Sequence, residues 1–247
     1  MLTHYTSFFG GEGRDVGQKP EAKKTAASAD GVPQPMAFLV EQSPNSQGRP
    51  HFHRVDQWQV FVRGSGTLGR HAVTAVSLHY AGAFTTYGPI VAGDEGVSYF
   101  TLRNAYDYGA QYMPDSREEL LLHRQTGRRE ALAGPDPAMP ADALAQMKHC
   151  ECRAVVGPEP DGLAAWRICA PPSGITEGPS PGLGQGQSWV VLSGMLLQDG
   201  QVLPELSCLF VHPDDAALKI EAGPQGVELL CLQYPQHRKR SDASLDA

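Results

Sequence analysis

The sequence predicts an all-β chain of two tandem jelly-roll-like barrels joined by a short helical linker. Three observations carry that prediction. Sliding the chain along itself by 130 residues superposes Gly48 on Gly178, Gln57 on Gln187, Val60 on Val190, Gly64 on Gly194, Ile90 on Ile220, Gly96 on Gly226 and Leu102 on Leu232. No gap is needed between Gly48 and Leu102. Each copy reads as β: "WQVFVRG" answers "SWVVLSG" and "VSYFTLR" answers "VELLCLQ". These are short runs rich in β-branched and aromatic residues, with turn signals recurring roughly every 8–12 residues. Helical signals, in contrast, gather between the copies.

Taken in order, residues 1–35 form an irregular arm, "GQKPEAKKTAASADGVPQP" included, and residues 36–104 the N-terminal barrel. Residues 105–150 form a partly helical linker. In it "PDSREELLLHR" places Ser116 three residues before Glu119, the spacing of a capping box. "MPADALAQMKH" reads as a second short helix with Asp142 near its start. Residues 151–235 form the C-terminal barrel, and 236–247 a disordered tail carrying the basic "HRKR".

The composition excludes several classes of function. The chain has 247 residues and a net charge of −7, without the basic stripe that a nucleic-acid partner requires. No apolar run approaches the ~20 residues needed to cross a bilayer. "MLTHYTSFFGGEG" lacks the basic start and apolar core of a signal peptide, so a cytoplasmic location and no membrane partner are expected. Five cysteines fit reduced thiols better than a disulfide framework. His149-Cys150-Glu151-Cys152 has no second Cys/His pair at zinc-module spacing. A homodimer is compatible with the chain.

The chemistry concentrates in "PHFHRVDQWQVFVRGSG". On one uninterrupted strand His51, His53 and Gln57 would share a face, with the two histidines ~6–7 Å apart, and Asp56 would point away. The plain alternative is a pair of histidines at the edge of the core. Gly64 and Gly66 read as turn glycines, and Trp58, Phe61 and Tyr99 as core or pocket wall.

His51-x-His53, three residues, Gln57, six residues and Gly64 resemble the first motif of the cupin superfamily, G-x5-H-x-H-x3/4-E-x6-G. With both halves included, the chain resembles a bicupin. The resemblance implies a divalent metal ion, Fe(II) foremost, with Mn, Ni or Zn as alternatives. His51 and His53 would hold it, with Gln57 in the place of the family glutamate. The family's second motif ends in a histidine that "YAGAFTTYGPI" lacks, and Tyr87 takes its place as ligand or proton donor. His79, eight residues earlier, is another candidate ligand, and His71 a weaker one.

In the second copy the positions of His51, His53 and Tyr87 hold Pro181, Leu183 and Ala217, so that barrel is expected to bind no metal. The leading expectation is a metal-dependent enzyme of dioxygenase type acting on a small organic substrate, with Gln57 and Tyr87 as catalytic residues. Lyase, isomerase and hydrolase chemistries remain open beside it. The other class is a non-catalytic cupin that binds a small ligand, a sugar or an aromatic acid; a pure assembly scaffold is a third.

Overall fold

The computed structural model of the chain describes residues 6–9, 35–123 and 128–236. Its N-terminal half contributes β1 (Thr6–Phe9), β2 (Met36–Gln42), β3 (Gln47–Gly48), β4 (His51–Phe52), β5 (Gln57–Leu68), β6 (His71–Thr74), β7 (Ser77–Ala81), β8 (Ile90–Arg103), β9 (Gln111–Tyr112) and β10 (Glu130–Ala133). Eight of these form one sheet in the order β1-β2-β8-β5-β7-β10, with β3 on β8 and β6 on β5. β4 and β9 pair separately. α1 (Arg117–Leu122) lies between β9 and β10, and α2 (Ala141–Gln146) follows β10.

The C-terminal half contributes β11 (Glu151–Val156), β12 (Ala164–Ala170), β13 (Ile175–Glu177), β14 (Gln187–Gln198), β15 (Gln201–Pro204), β16 (Cys208–Val211) and β17 (Lys219–Gln233). They form a seven-stranded sheet in the order β11-β12-β17-β14-β15, with β13 on β17 and β16 on β14. The fold is all-β, two tandem barrels with two short helices between them.

Equivalent elements lie 130 residues apart. β5 and β14 start and end at matching positions, as do β6 and β15. Both long strands slip register in the same two places, at Phe61/Arg63 and Gly64/Gly66 in one half and at Val191/Ser193 and Gly194/Leu196 in the other. The reason is local. Gly64 and Gly194 have φ of 69° and 73°, and a Cβ there would lie 2.1 Å from Gly96 O and 2.2 Å from Gly226 O. The bulge brings two backbones into direct contact, which only glycine allows.

The central strands are buried on both faces, which explains why they read as near-continuous apolar runs rather than alternating ones. One side-chain parity points into its own barrel: Phe61 and Tyr99 in the first, Trp189, Leu229 and Cys231 in the second. The other parity packs barrel on barrel, with Trp58, Val60, Leu78 and Leu102 against Val190, Leu230, Leu232 and Tyr234. The Trp58 indole N–H reaches across to the Gln233 carbonyl at 3.4 Å.

The segment between the halves does more than connect them. β10 hydrogen-bonds to β7, pairing Glu130 with Ala81 and Leu132 with His79, so part of it completes the first sheet. Ser116 stands at the start of α1, but its side chain makes no cap hydrogen bond. Glu119 instead takes both guanidinium contacts of Arg54, at 2.5 and 2.8 Å. Leu144 of α2 is fully buried and seats over Gly194 and Gly226. The buried Arg167–Glu228 pair clamps the preceding turn, Arg167 donating to the carbonyls of Asp136 and Pro137 and Glu228 accepting from the Met139 N–H.

The five cysteines are unbridged, Cys150 and Cys152 exposed on the surface and Cys169, Cys208 and Cys231 buried. Most of the expected arm and the basic "HRKR" of the expected tail lie outside the described residues. No helix among the described residues is long and apolar enough to cross a membrane.

Because the same close approach recurs in both halves, Gly64→Ala and Gly194→Ala should each destabilise the fold. The expected loss is about 1–2 kcal/mol or more for each, read as a lower urea midpoint with an unchanged slope.

Candidate functional site

The polar interior of the N-terminal barrel is built where four chain segments end. β4 stops after Phe52, and a turn over residues 53–56 carries the chain to Gln57 at the start of β5. The two histidines and Gln57 therefore do not sit on one uninterrupted strand. His51 is brought in by a backbone bridge to Tyr87, with N–H to carbonyl bonds of 3.1 and 3.0 Å. Gln57 pairs across the sheet with Arg103, the last residue of β8, and with Ala81 at the end of β7.

Hydrogen-bond donors and acceptors then assign themselves in sequence. Arg103 can only donate, so its Nε–H, 2.9 Å away, fixes the Gln57 carbonyl oxygen as acceptor. The Gln57 amide nitrogen consequently faces Tyr87 and donates to its hydroxyl at 2.7 Å. At the far end the Arg49 carbonyl can only accept, so His51 carries its proton on Nδ1, 2.7 Å away. His51 Nε2 therefore holds a lone pair and accepts from the Tyr87 hydroxyl at 2.8 Å. The chain runs one way, from Arg103 through Gln57 and Tyr87 to His51. It accounts for a glutamine at this position, since an ionised glutamate could accept from Arg103 but could not donate to Tyr87.

His53 is buried and held from both sides. Its Nδ1 donates to Asp107 Oδ2 at 2.7 Å, and Arg103 Nη2 lies against the ring, 3.1 Å from Nε2 and 3.3 Å from Nδ1. Arg103 Nη1 stands 3.4 Å from the same Asp107 oxygen, so guanidinium and carboxylate neutralise one another inside the barrel. Asp107 Oδ1 and Thr86 Oγ1 are buried without a hydrogen-bond partner. Burial lowers the imidazole pKa of His51 to about 4, and that of His53, with Arg103 beside it, to about 3. Burial also pushes the Tyr87 hydroxyl well above its ordinary value. Burial alone would raise Asp107, yet the hydrogen bond from His53 and the charge of Arg103 hold it below its ordinary value. Near neutral pH the cluster is thus two neutral imidazoles, a neutral phenol, an amide and one ion pair.

The structure brings His51, His53, Gln57 and Tyr87 together, but not as a coordination shell. His53 Nε2 and Gln57 Oε1, two atoms a metal would use, both face the Arg103 guanidinium. The tyrosine is held as a phenol, so no anionic ligand replaces the missing glutamate. A doubly charged ion there would be repelled by the guanidinium, while the charge of Asp107 is already engaged by that same guanidinium. Among the described residues no group of three or more His, Cys, Asp or Glu is arranged to hold a metal ion. As they stand, the residues do not fit the divalent ion that the sequence resemblance implies.

Of the other candidates, His79 packs edge-on against Tyr87, ring centroids 5.0 Å apart, but is tied up elsewhere. Both ring nitrogens of His79 are engaged, Nδ1 by Gln59 Oε1 at 2.8 Å and Nε2 by Glu130 Oε1 at 3.0 Å. Its hydrogen bond holds the Glu130 carboxyl down to about 2. Asp56 accepts from the Ala83 N–H and His71 is exposed at the start of β6. Sequence reasoning missed Arg103 and Asp107. The signal for Arg103 was its inward parity with Tyr99 and Thr101 on β8, a charge at a position facing the interior. Asp107, from the loop after β8, carried no signal.

In the second barrel the same register pairs Gln187 with Gln233, the counterpart of Arg103. The Gln187 amide donates to Gln233 Oε1 at 3.0 Å, and its own Oε1 accepts from the Trp189 indole at 3.1 Å. There a glutamine at the start of the long strand ties it to its neighbouring strand and, through the Pro179 carbonyl at 3.1 Å, to the preceding loop.

No protein-family model matches the chain, and no curated protein matches its sequence. Solved structures do match in three dimensions. A protein of Nostoc punctiforme assigned as a dioxygenase superposes with a TM-score of 0.53 at 13% identity, over 86% of this chain and 72% of its own. An oxalate decarboxylase of Lactobacillus farciminis, solved as a formate complex, gives 0.54 at 11% identity over 83% and 78%. The Bacillus subtilis oxalate decarboxylase gives 0.52 at 12% identity over 83% and 69%. Those neighbours are cupin-fold proteins. The chain has the cupin fold. At these identities the likeness concerns the fold alone, and the Mn(II) centres described for the Bacillus subtilis enzyme are properties of that protein.

The depressed imidazoles set a pH dependence. In the folded chain His51 and His53 take up protons near 4 and 3 rather than at the ordinary 6.5, so acid favours the unfolded chain. Stability should be full above about pH 6.5 and fall as the pH drops through 4 and then 3. Urea midpoints measured from neutral pH downwards should show that fall, with a shallower slope in His51→Asn.

Proposed function

We propose that the chain is a bicupin, derived by tandem duplication, whose N-terminal barrel binds a small polar organic molecule without a resident metal. Of the ligand classes open to it, a sugar or an aromatic acid suits the lining best. The carrying observation is the buried pairing of the Arg103 guanidinium with Asp107, whose Oδ1 has no hydrogen-bond partner. A donor-rich cation beside an unmet acceptor suits a ligand bearing both hydroxyl and carboxyl groups. Tyr87, midway between Gln57 and His51, presents the reorienting hydroxyl of the site. The formate held by the Lactobacillus farciminis neighbour supports small carboxylates as ligands of this fold. The C-terminal barrel serves as a packing partner, burying the outer face of the β5–β8 pair.

A second reading, a metal-dependent enzyme of dioxygenase type, is favoured by one observation. Both histidines have Nδ1 anchored on an oxygen, Arg49 O and Asp107 Oδ2, as metal-ligating histidines do. Bound there, Fe(II), Mn, Ni or Zn would supply Lewis-acid or redox chemistry, with His51 and His53 as its ligands.

Elemental analysis and a thermal-shift panel of sugars and aromatic acids on chelator-treated protein separate the two. On the leading reading metal is well below one per chain. A ligand present at about 100 times its Kd then stabilises the fold by roughly 2.7 kcal/mol. Tyr87→Phe should weaken that ligand about threefold to tenfold. Near-stoichiometric metal that disappears in the His51→Ala/His53→Ala double variant would transfer the conclusion to the enzyme reading.

A further inference from the structure

Arg103 is not required by the strand that it ends. Its counterpart Gln233 occupies the same register opposite Gln187, so the backbone pairing there accepts a neutral amide. What Arg103 does differently is reach inward, to Gln57 Oε1 at 2.9 Å, to His53 Nε2 at 3.1 Å and to Asp107 at 3.4 Å. Those three partners are a carbonyl oxygen, a neutral imidazole ring and a carboxylate, all of them electron-rich. Such partners are the ones that a cation collects when it is buried.

We infer that Arg103 is the resident cation of the N-terminal barrel, and that its guanidinium keeps a latent two-histidine metal site closed. The inference rests on the metal-free reading above and adds the residue responsible for it. The remaining features of a metal site are in place. His51 Nδ1 is fixed by the Arg49 carbonyl and His53 Nδ1 by Asp107, so both Nε2 lone pairs turn inward. The Tyr87 hydroxyl takes the one on His51, and the Arg103 guanidinium lies against the ring that carries the other, Nη2 standing 3.1 Å from Nε2 and 3.3 Å from Nδ1. Asp107 supplies one negative charge, which the single charge of the guanidinium balances without an ion. Removing the guanidinium frees Gln57 Oε1, takes a positive charge from beside His53 Nε2 and leaves Asp107 as uncompensated counter-charge. All three changes favour a divalent cation beside His51 and His53.

Arg103→Gln copies the residue that the second barrel carries at this position, and so is the variant chosen. Chelator-treated wild type, Arg103→Gln, and Arg103→Gln combined with His51→Ala and His53→Ala are titrated with Co(II). Binding is followed by visible absorption and equilibrium dialysis, and circular dichroism checks the fold. Wild type should show no uptake that depends on the two histidines. Arg103→Gln should bind about one Co(II) per chain. Loss of both histidines should then weaken that binding at least about tenfold. The histidine variants also discount any Co(II) on the exposed Cys150 and Cys152. If Arg103→Gln does not fold, Arg103→Met, which keeps the aliphatic stem and leaves Asp107 in place, is titrated in its stead and decides. Absence of histidine-dependent Co(II) in both wild type and the folded Arg103 variant overturns the role given to Arg103 and leaves the metal-free reading intact. Histidine-dependent Co(II) in wild type overturns both.

Discussion

The interior of the N-terminal barrel depends on one buried guanidinium. Arg103 enters from the end of β8 with donors only, and each neighbour is oriented by that fact. Gln57 must turn its oxygen towards it and its nitrogen towards Tyr87, and Tyr87 must then donate to His51. Asp107 is drawn in from the loop after β8 to balance the charge, and His53 bridges the two. A half-satisfied network of this kind would be worse than an apolar core, because each unmet polar atom loses its hydration with nothing in return. Here the partnering is close to complete, Asp107 Oδ1 being the carboxylate oxygen left without a hydrogen-bond partner.

That network stands on a scaffold whose own demands are apolar. The β5–β8 and β14–β17 pairs are each covered on two faces, by their barrel interior and by the other barrel. The arrangement places Trp58 between two cores and makes a cooperative unit of the halves. Rigidity follows as well, since residues of one parity cannot move without disturbing the packing of the other. The bulges at Gly64 and Gly194 then bend both long strands at equivalent points.

The two halves share a frame but not a chemistry. Gln57 and Gln187 both tie the start of the long strand to its neighbour, and the difference lies opposite them, Arg103 in one half and Gln233 in the other. In the second barrel a neutral amide pair stands at that register. A charged pair in the first brings in His53 and Asp107 and makes that interior polar. The polar interior is thus particular to the first half, through Arg103 on β8 together with His51 on β4 and His53 in the turn after it.

The sequence by itself determined the fold class, because strand periodicity, turn glycines and an offset of 130 residues are local or self-referential signals that survive without coordinates. It also picked out His51, His53, Gln57 and Tyr87 as neighbours in space. Their roles it left to analogy. Whether Gln57 faced a metal or an arginine depended on a residue 46 positions away, and His53 on one 54 positions away. β10, read as linker, became a sheet edge only through its pairing with β7. Donor and acceptor identities propagate through contacts, not along the chain, and so only the tertiary structure decided what the two histidines face.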